Sequence, residues 1–161
     1  MEKKYRTMNR FLMCGLGFMI SVLLTGCTFQ SFQVVHFPNQ SMPVENAEKG
    51  RIYLMRQTSS MNIPSRTRLM IVYDGNQEIG TVGNYGFLCW EREPGQAVIT
   101  FPPYHAPPFV LTVEKDRTYF IQVRVKPIAV APASPLEVHE ILDEATGKKE
   151  LSSCKAPSVT K

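Results

Sequence analysis

The chain has 161 residues, 43% of them hydrophobic and 20% charged, which suits one globular domain and excludes a disordered chain. Its formal charge is +4, but Lys3, Lys4, Arg6 and Arg10 place four of the 18 basic residues within the first ten positions. After residue 26 the chain carries 14 basic and 13 acidic residues, interleaved along its length, so the basic stripe of a nucleic-acid binder is absent.

Residues 1–26 have the layout of a secretory signal. A basic start, Met1 to Arg10, is followed by an apolar run from Phe11 to Leu24. That run is about 14 residues, too short for the roughly 20 that a spanning helix needs. It ends in Leu24-Thr25-Gly26-Cys27, which resembles the lipobox of bacterial lipoproteins. The resemblance implies a diacylglyceryl group on the Cys27 thiol and cleavage by signal peptidase II after Gly26, with Leu24, Thr25 and Gly26 as the peptidase recognition residues. Small residues let an extended backbone enter a protease cleft, and two or three acyl chains anchor stably at about 0.8 kcal/mol per buried methylene. Thr28 stands where inner-membrane lipoproteins commonly carry Asp. In a Gram-negative cell, that favours the periplasmic face of the outer membrane.

Residues 27–48 read as the lipidated cysteine and a tether, rich in Gln, Ser, Asn and Pro. Phe29, Phe32, Val34, Val35 and Phe37 make this stretch less polar than most linkers, and Val34 to Phe37 also fit an edge strand or packing on the domain. Residues 49–155 are the expected domain, and 156–161 a disordered tail. Within the domain, strands are predicted at Arg51–Arg56, Arg68–Tyr73, Glu78–Val82, Tyr85–Glu91, Ala97–Phe101, Phe109–Val113 and Thr118–Val125. Asp74-Gly75-Asn76 marks a hairpin turn. The Thr118–Val125 strand alternates, with Tyr119, Ile121, Val123 and Val125 on a buried face and Phe120 and Gln122 on a mostly wet one. A further strand to about Leu142 and a short helix capped by Asp143 close the chain, although Gly147 weakens the helix. Short turns favour antiparallel pairing, so the fold class is all-β: a small antiparallel sandwich or curled meander of about seven strands with a short C-terminal helix.

With Cys14 in the signal and Cys27 lipidated, Cys89 and Cys154 remain as a disulfide candidate in an oxidising compartment. His36, His105 and His139 show no metal-ligand spacing, and no nucleophile elbow or phosphate loop is present. No metal is expected, and no cofactor beyond the covalent lipid. The Pro-rich loop Phe101-Pro102-Pro103-Tyr104-His105-Ala106-Pro107-Pro108-Phe109 is stiff and aromatic. Trp90, Tyr104, His105 and Phe109 form the candidate recognition surface; the competing reading is that the prolines join two strands and block edge pairing.

Several stretches resemble the bacterial lipoprotein family called domain of unknown function 2846. They are Gly50-Arg51-Ile52-Tyr53-Leu54-Met55-Arg56, Val72-Tyr73-Asp74-Gly75-Asn76-Gln77-Glu78-Ile79-Gly80, Glu93-Pro94-Gly95-Gln96, Lys115-Asp116-Arg117-Thr118-Tyr119-Phe120-Ile121 and Gly147-Lys148-Lys149-Glu150-Leu151. The Pro-Gly turn before an alternating strand is also similar to PEGA-type surface modules. The resemblance implies export, lipidation and a β fold, and transfers no catalytic residues. The functional expectation is a non-enzymatic, membrane-anchored module that binds or scaffolds another envelope protein, as an accessory of a larger assembly such as a secretion apparatus. A lipoprotein binding a glycan or peptide is the alternative, and a hydrolase of envelope polymer has the least support. A Cys27→Ser variant is expected to stay an unacylated, uncut precursor, read out by intact mass and membrane fractionation; normal maturation would remove the lipoprotein assignment.

Overall fold

The computed structural model describes residues 30–58, 69–104, 106–125 and 136–159. They form ten strands in two sheets, joined by one helix near the C-terminus, so the all-β expectation holds. The strands are β1 (Phe32–Gln33), β2 (Gly50–Thr58), β3 (Met70–Asp74), β4 (Gln77–Val82), β5 (Phe87–Arg92), β6 (Gly95–Thr100), β7 (Phe109–Val113), β8 (Thr118–Val125), β9 (Leu136–Ile141) and β10 (Ser158–Val159). The helix, α1, spans Glu144–Ser152. One sheet runs β10-β1-β4-β3-β6-β7 and the other β5-β2-β8-β9.

Ile52, Leu54, Ile121 and Val123 of the four-stranded sheet meet Val72, Ile79, Ile99 and Leu111 of the six-stranded one in a single apolar core. Each such side chain taken from water contributes roughly 1.5–3 kcal/mol. The β3–β4 hairpin turns at Gly75, whose φ of 59° lies in the region that glycine enters without a Cβ penalty. Two pairings depart from the antiparallel expectation: β2 runs parallel to β8 over eight residues, and β1 runs parallel to β10. Parallel partners need a long crossover, and short-turn signals cannot reveal one.

The outer face of the four-stranded sheet also departs from expectation. Phe120 and Gln122, read as the wet side of β8, are both 2% exposed. Phe120 joins Tyr53, Met55, Phe87 and Cys89 in a second cluster, packed against Phe37, Ile141, Leu151 and Cys154. Tyr53 and Phe120 stack with ring centroids 5.3 Å apart. α1 lies over this cluster, and Gly147 is the reason it can: a Cβ there would come within 2.4 Å of the Phe120 ring. Asp143 caps the helix as anticipated, accepting from the Ala145 and Thr146 amides.

Residues 30–48 are not a tether. Ser31 and Gln33 are buried, Ser31 Oγ accepts the Gly83 amide at 3.0 Å, and β1 pairs with β4 on one side and β10 on the other. The Gln33 side-chain amide pairs with the Cys89 backbone in both directions, accepting its N–H at 2.9 Å and donating to its carbonyl at 2.5 Å. Gln33 thereby acts as a surrogate strand on the edge of β5 and links the two sheets. Gly80, with φ near 153°, permits this approach, since a Cβ would meet the Phe32 carbonyl oxygen at 2.2 Å. The expected tail is corrected in the same way, because Ser158–Val159 forms β10 against β1. In the first segment the packing alternative is the one realised, with its strand at Phe32–Gln33 rather than Val34–Phe37, whereas the short polar tail gave no sign of its pairing.

Residues 39–46 are held by a buried ion pair. Arg51, fully buried, donates from Nε at 3.0 Å and Nη2 at 2.8 Å to Glu91 Oε1, from Nη1 to the Met42 carbonyl and from Nη2 to the Asn39 carbonyl. Glu91 in turn accepts the Glu45 and Asn46 amides. Removing one partner of a buried pair strands the other charge away from water. Arg51→Ala is therefore expected to lower stability by about 3–5 kcal/mol, measured as the urea midpoint of the folded domain. A loss within ordinary surface-mutation scatter would mean that the pair does not hold this segment.

Candidate functional site

The two ends of the sandwich differ in chemistry. The chain enters at Gln30, beside the β4–β5 turn, the start of β3 and the loop between β6 and β7; this is the entry end. The opposite, far end carries the turns after β3, β5 and β7 and the segment 43–49. At the far end, a cleft of about 430 Å³ lies between Val35, Glu45, Lys49, Gln77 and Glu91. A second, of about 410 Å³, shares Lys49, Gln77 and Glu91 with it and adds Asp74 and Arg92.

The polar groups of these clefts are engaged in holding the fold. Glu91 binds Arg51 and two backbone amides, and Asp74 accepts from Arg92 Nη1 at 2.5 Å and Trp90 Nε1 at 3.1 Å. His36 pairs with Glu45 at 3.0 Å, and this hydrogen bond, with the Asn39 amide, keeps the Glu45 carboxyl below its ordinary range. Among the described residues no group of three His, Cys, Asp or Glu could hold a metal ion. His36 and His139 are not brought together: His36 stands against Glu45, while His139 pairs across from Gln122 in β9.

The predicted recognition surface does not assemble as one patch. Trp90 is 3% exposed, a core residue whose indole N–H is satisfied by Asp74 at the far end of β3. Tyr104 and Phe109 are half-buried and pack against the main core. Tyr104 ends a turn of 3-10 helix, Pro102–Tyr104, that contacts β3. Because β6 runs antiparallel to β3 and leaves it at Thr100, opposite Tyr73, the loop returns towards Met70, away from Trp90. His105 lies outside the described residues, as do Leu24, Thr25, Gly26 and Cys27.

Cys89 and Cys154 are free thiols, so the expected disulfide is not formed. The Cys89 thiol is fully buried and receives the Gln40 amide at 3.6 Å, whereas the Cys154 thiol donates to the Glu150 carbonyl at 3.5 Å. Both serve the second cluster as small apolar side chains, a use that cysteine counting cannot distinguish from a bridge.

The sequence pointed to loops and missed a surface. Ile71, Tyr73, Thr81, Val98, Thr100, Val110 and Thr112 alternate outward from the six-stranded sheet, joined by Phe32 and Val34 beside β4. Phe32 is 40% exposed, Val34 49% and Val110 55%. Glu78, which accepts from the Tyr73 hydroxyl, is the carboxylate on this face. Among the described residues no helix or loop covers it. Alternation within β6 and β7 held the signal, since Val98 and Val110 are apolar on the side opposite Ile99 and Leu111.

No family model, curated protein or solved structure matches the chain.

Burial raises the Cys89 thiol from its ordinary 9.0 to about 11, and the Tyr53 phenol from 10.0 to about 12. The folded state thus favours both neutral forms, a contribution fully present below pH 9 and lost as pH climbs through the folded values. The urea midpoint is expected to decline between about pH 9 and pH 12, less steeply in Cys89→Ala and Tyr53→Phe. An unchanged slope in both variants would assign the alkaline loss to other groups.

Proposed function

We propose that the chain is a lipid-anchored lipoprotein of the bacterial cell envelope whose β-sandwich is a non-enzymatic binding or scaffolding module. The observation that carries this reading is the unequal treatment of the two outer faces. The four-stranded sheet is closed by α1 and the 37–43 segment, while the six-stranded sheet presents Val34, Ile71, Tyr73, Val98 and Val110 with threonines between them. Nearly uncharged, such a face suits another protein, because apolar and hydroxyl side chains can be desolvated at little cost.

The export signal and lipobox support the envelope location, and Thr28 after Cys27 favours the periplasmic face of the outer membrane. The resemblance to domain of unknown function 2846 points the same way. The partner is an envelope protein, with this domain an accessory of a larger assembly. A glycan or peptide ligand is less well served, since the Trp90 ring that would stack on it is buried. The far-end carboxylates are committed to arginines and backbone amides, a poor setting for general acid–base work.

The test is site-specific crosslinking in the native envelope from a photoreactive residue at Thr112. A discrete crosslinked partner is expected, lost on Val98→Asp with lipidation and urea midpoint retained. The same substitution without effect on the crosslink would exclude this face; Lys149→Asp on the helix side serves as the control.

A further inference from the structure

The packing of residues 30–48 changes what a lipid on Cys27 would do. A twenty-residue tether would let the domain diffuse freely above the bilayer, but Ser31 is already buried and bonded to Gly83. Gln30 is three positions after Cys27, a reach of at most about 11 Å even when extended. The acylated sulfur sits at the headgroup level, so the end of the domain at which the chain enters must lie against it.

We propose that the entry end of the sandwich rests on the lipid bilayer that holds Cys27, an orientation that relies on the lipoprotein reading above. Two independent features of that end fit a lipid surface. The first is its exposed side chains: Phe32 at the start of β1, Tyr85 in the β4–β5 turn at 54% exposure, and Pro102 of the adjoining loop. Phe32 and Tyr85 are held close together, because Ser31 touches Gly86 and the Tyr85 carbonyl accepts the Lys155 amide next to β10. Amphipathic aromatic rings are favoured at the membrane–water boundary, and a proline there has no backbone N–H to desolvate.

The second feature is charge. The far end carries Glu45, Glu48, Asp74, Glu93, Glu114 and Asp116 against Lys49, Arg92, Lys115 and Arg117, which pair with Glu93, Asp74, Glu48 and Glu114, so it keeps a small acidic excess; Glu137 and Glu150 are the carboxylates of the entry half. Every carboxylate of the sequence after Cys27 falls within the described residues, so none is left to add to the entry end. Exposed Arg124 and Lys155 are cations of that half. The end turned towards anionic headgroups thus lacks the acidic excess of the far end. Strands of six to eight residues hold the two ends about 20 Å apart, enough for the choice of end to be measurable.

The experiment uses the mature acylated protein in vesicles of phosphatidylethanolamine with a minority of phosphatidylglycerol, with or without brominated acyl chains. Tyr85→Trp and, separately, Phe32→Trp are compared with Gln96→Trp near the far end, buried Trp90 being a common background. The entry-end tryptophans are expected to emit further to the blue and to lose that emission in brominated vesicles, while Gln96→Trp stays unquenched. Acylated protein with both entry-end tryptophans unquenched, or with Gln96→Trp quenched instead, overturns the orientation and leaves the lipoprotein reading standing. Intact mass showing no acyl group on Cys27 overturns both.

Discussion

The interaction on which the rest of the structure depends is the buried pair of Arg51 and Glu91. An ion pair withdrawn from water seldom repays its own desolvation, and this one is sustained because nearly every donor and acceptor is used. Arg51 reaches two backbone carbonyls and the Tyr53 hydroxyl besides Glu91, and Glu91 collects two backbone amides. The backbone groups all belong to residues 39–46. The pair therefore works as a staple, fastening a segment that has little secondary structure across the end of the four-stranded sheet. Gln40, carried on that segment, accepts the Tyr53 hydroxyl at 2.9 Å and donates to Cys89, so the staple also closes the second apolar cluster from the side that α1 does not reach.

This arrangement explains which parts of the fold were legible in the sequence. The Asp74-Gly75 hairpin and the Asp143 cap are local, each set by a few neighbouring residues, and both appear at their anticipated places. What could not be read was decided by contacts far apart in sequence. β2 is a central strand, buried on both faces, and its run Ile52-Tyr53-Leu54-Met55 has the continuous apolar character of such strands. That character was the available sign that a second layer covers its outer side, and thus that Arg51 between Gly50 and Ile52 points into an interior. The polar residues Ser31, Gln33 and Gln40 looked like linker because composition reports solubility, while their actual role is to satisfy backbone groups within the packed domain.

The same distinction applies to function. Trp90 belongs to the recognition surface expected from the sequence, yet its neighbours supply what an indole needs in a core: an apolar slot and an acceptor, Asp74, at the margin. The face with the better claim is built from Val, Thr, Ile and Tyr, residues so ordinary in strands that no local pattern separates an interface from a solvated sheet. Only the asymmetry between a covered outer face and one that no described element covers singles it out, and asymmetry is a property of tertiary structure.

On the proposed lipoprotein reading, a domain whose packing begins three positions after Cys27 is also restricted in what it can meet. With the entry end at the bilayer, the sheet normals lie roughly parallel to the membrane, and the bare face of the six-stranded sheet looks sideways rather than outward. A partner on that face would stand beside the domain in or on the same membrane. The far end, with its carboxylates and shallow clefts, would be the part presented to solutes of the compartment. Lateral contact between membrane-held proteins needs less intrinsic affinity than capture from solution, because confinement raises the effective concentration of each for the other. A neutral, weakly apolar face such as this one is then sufficient for assembly, while remaining polar enough to keep the unpartnered protein from aggregating through it.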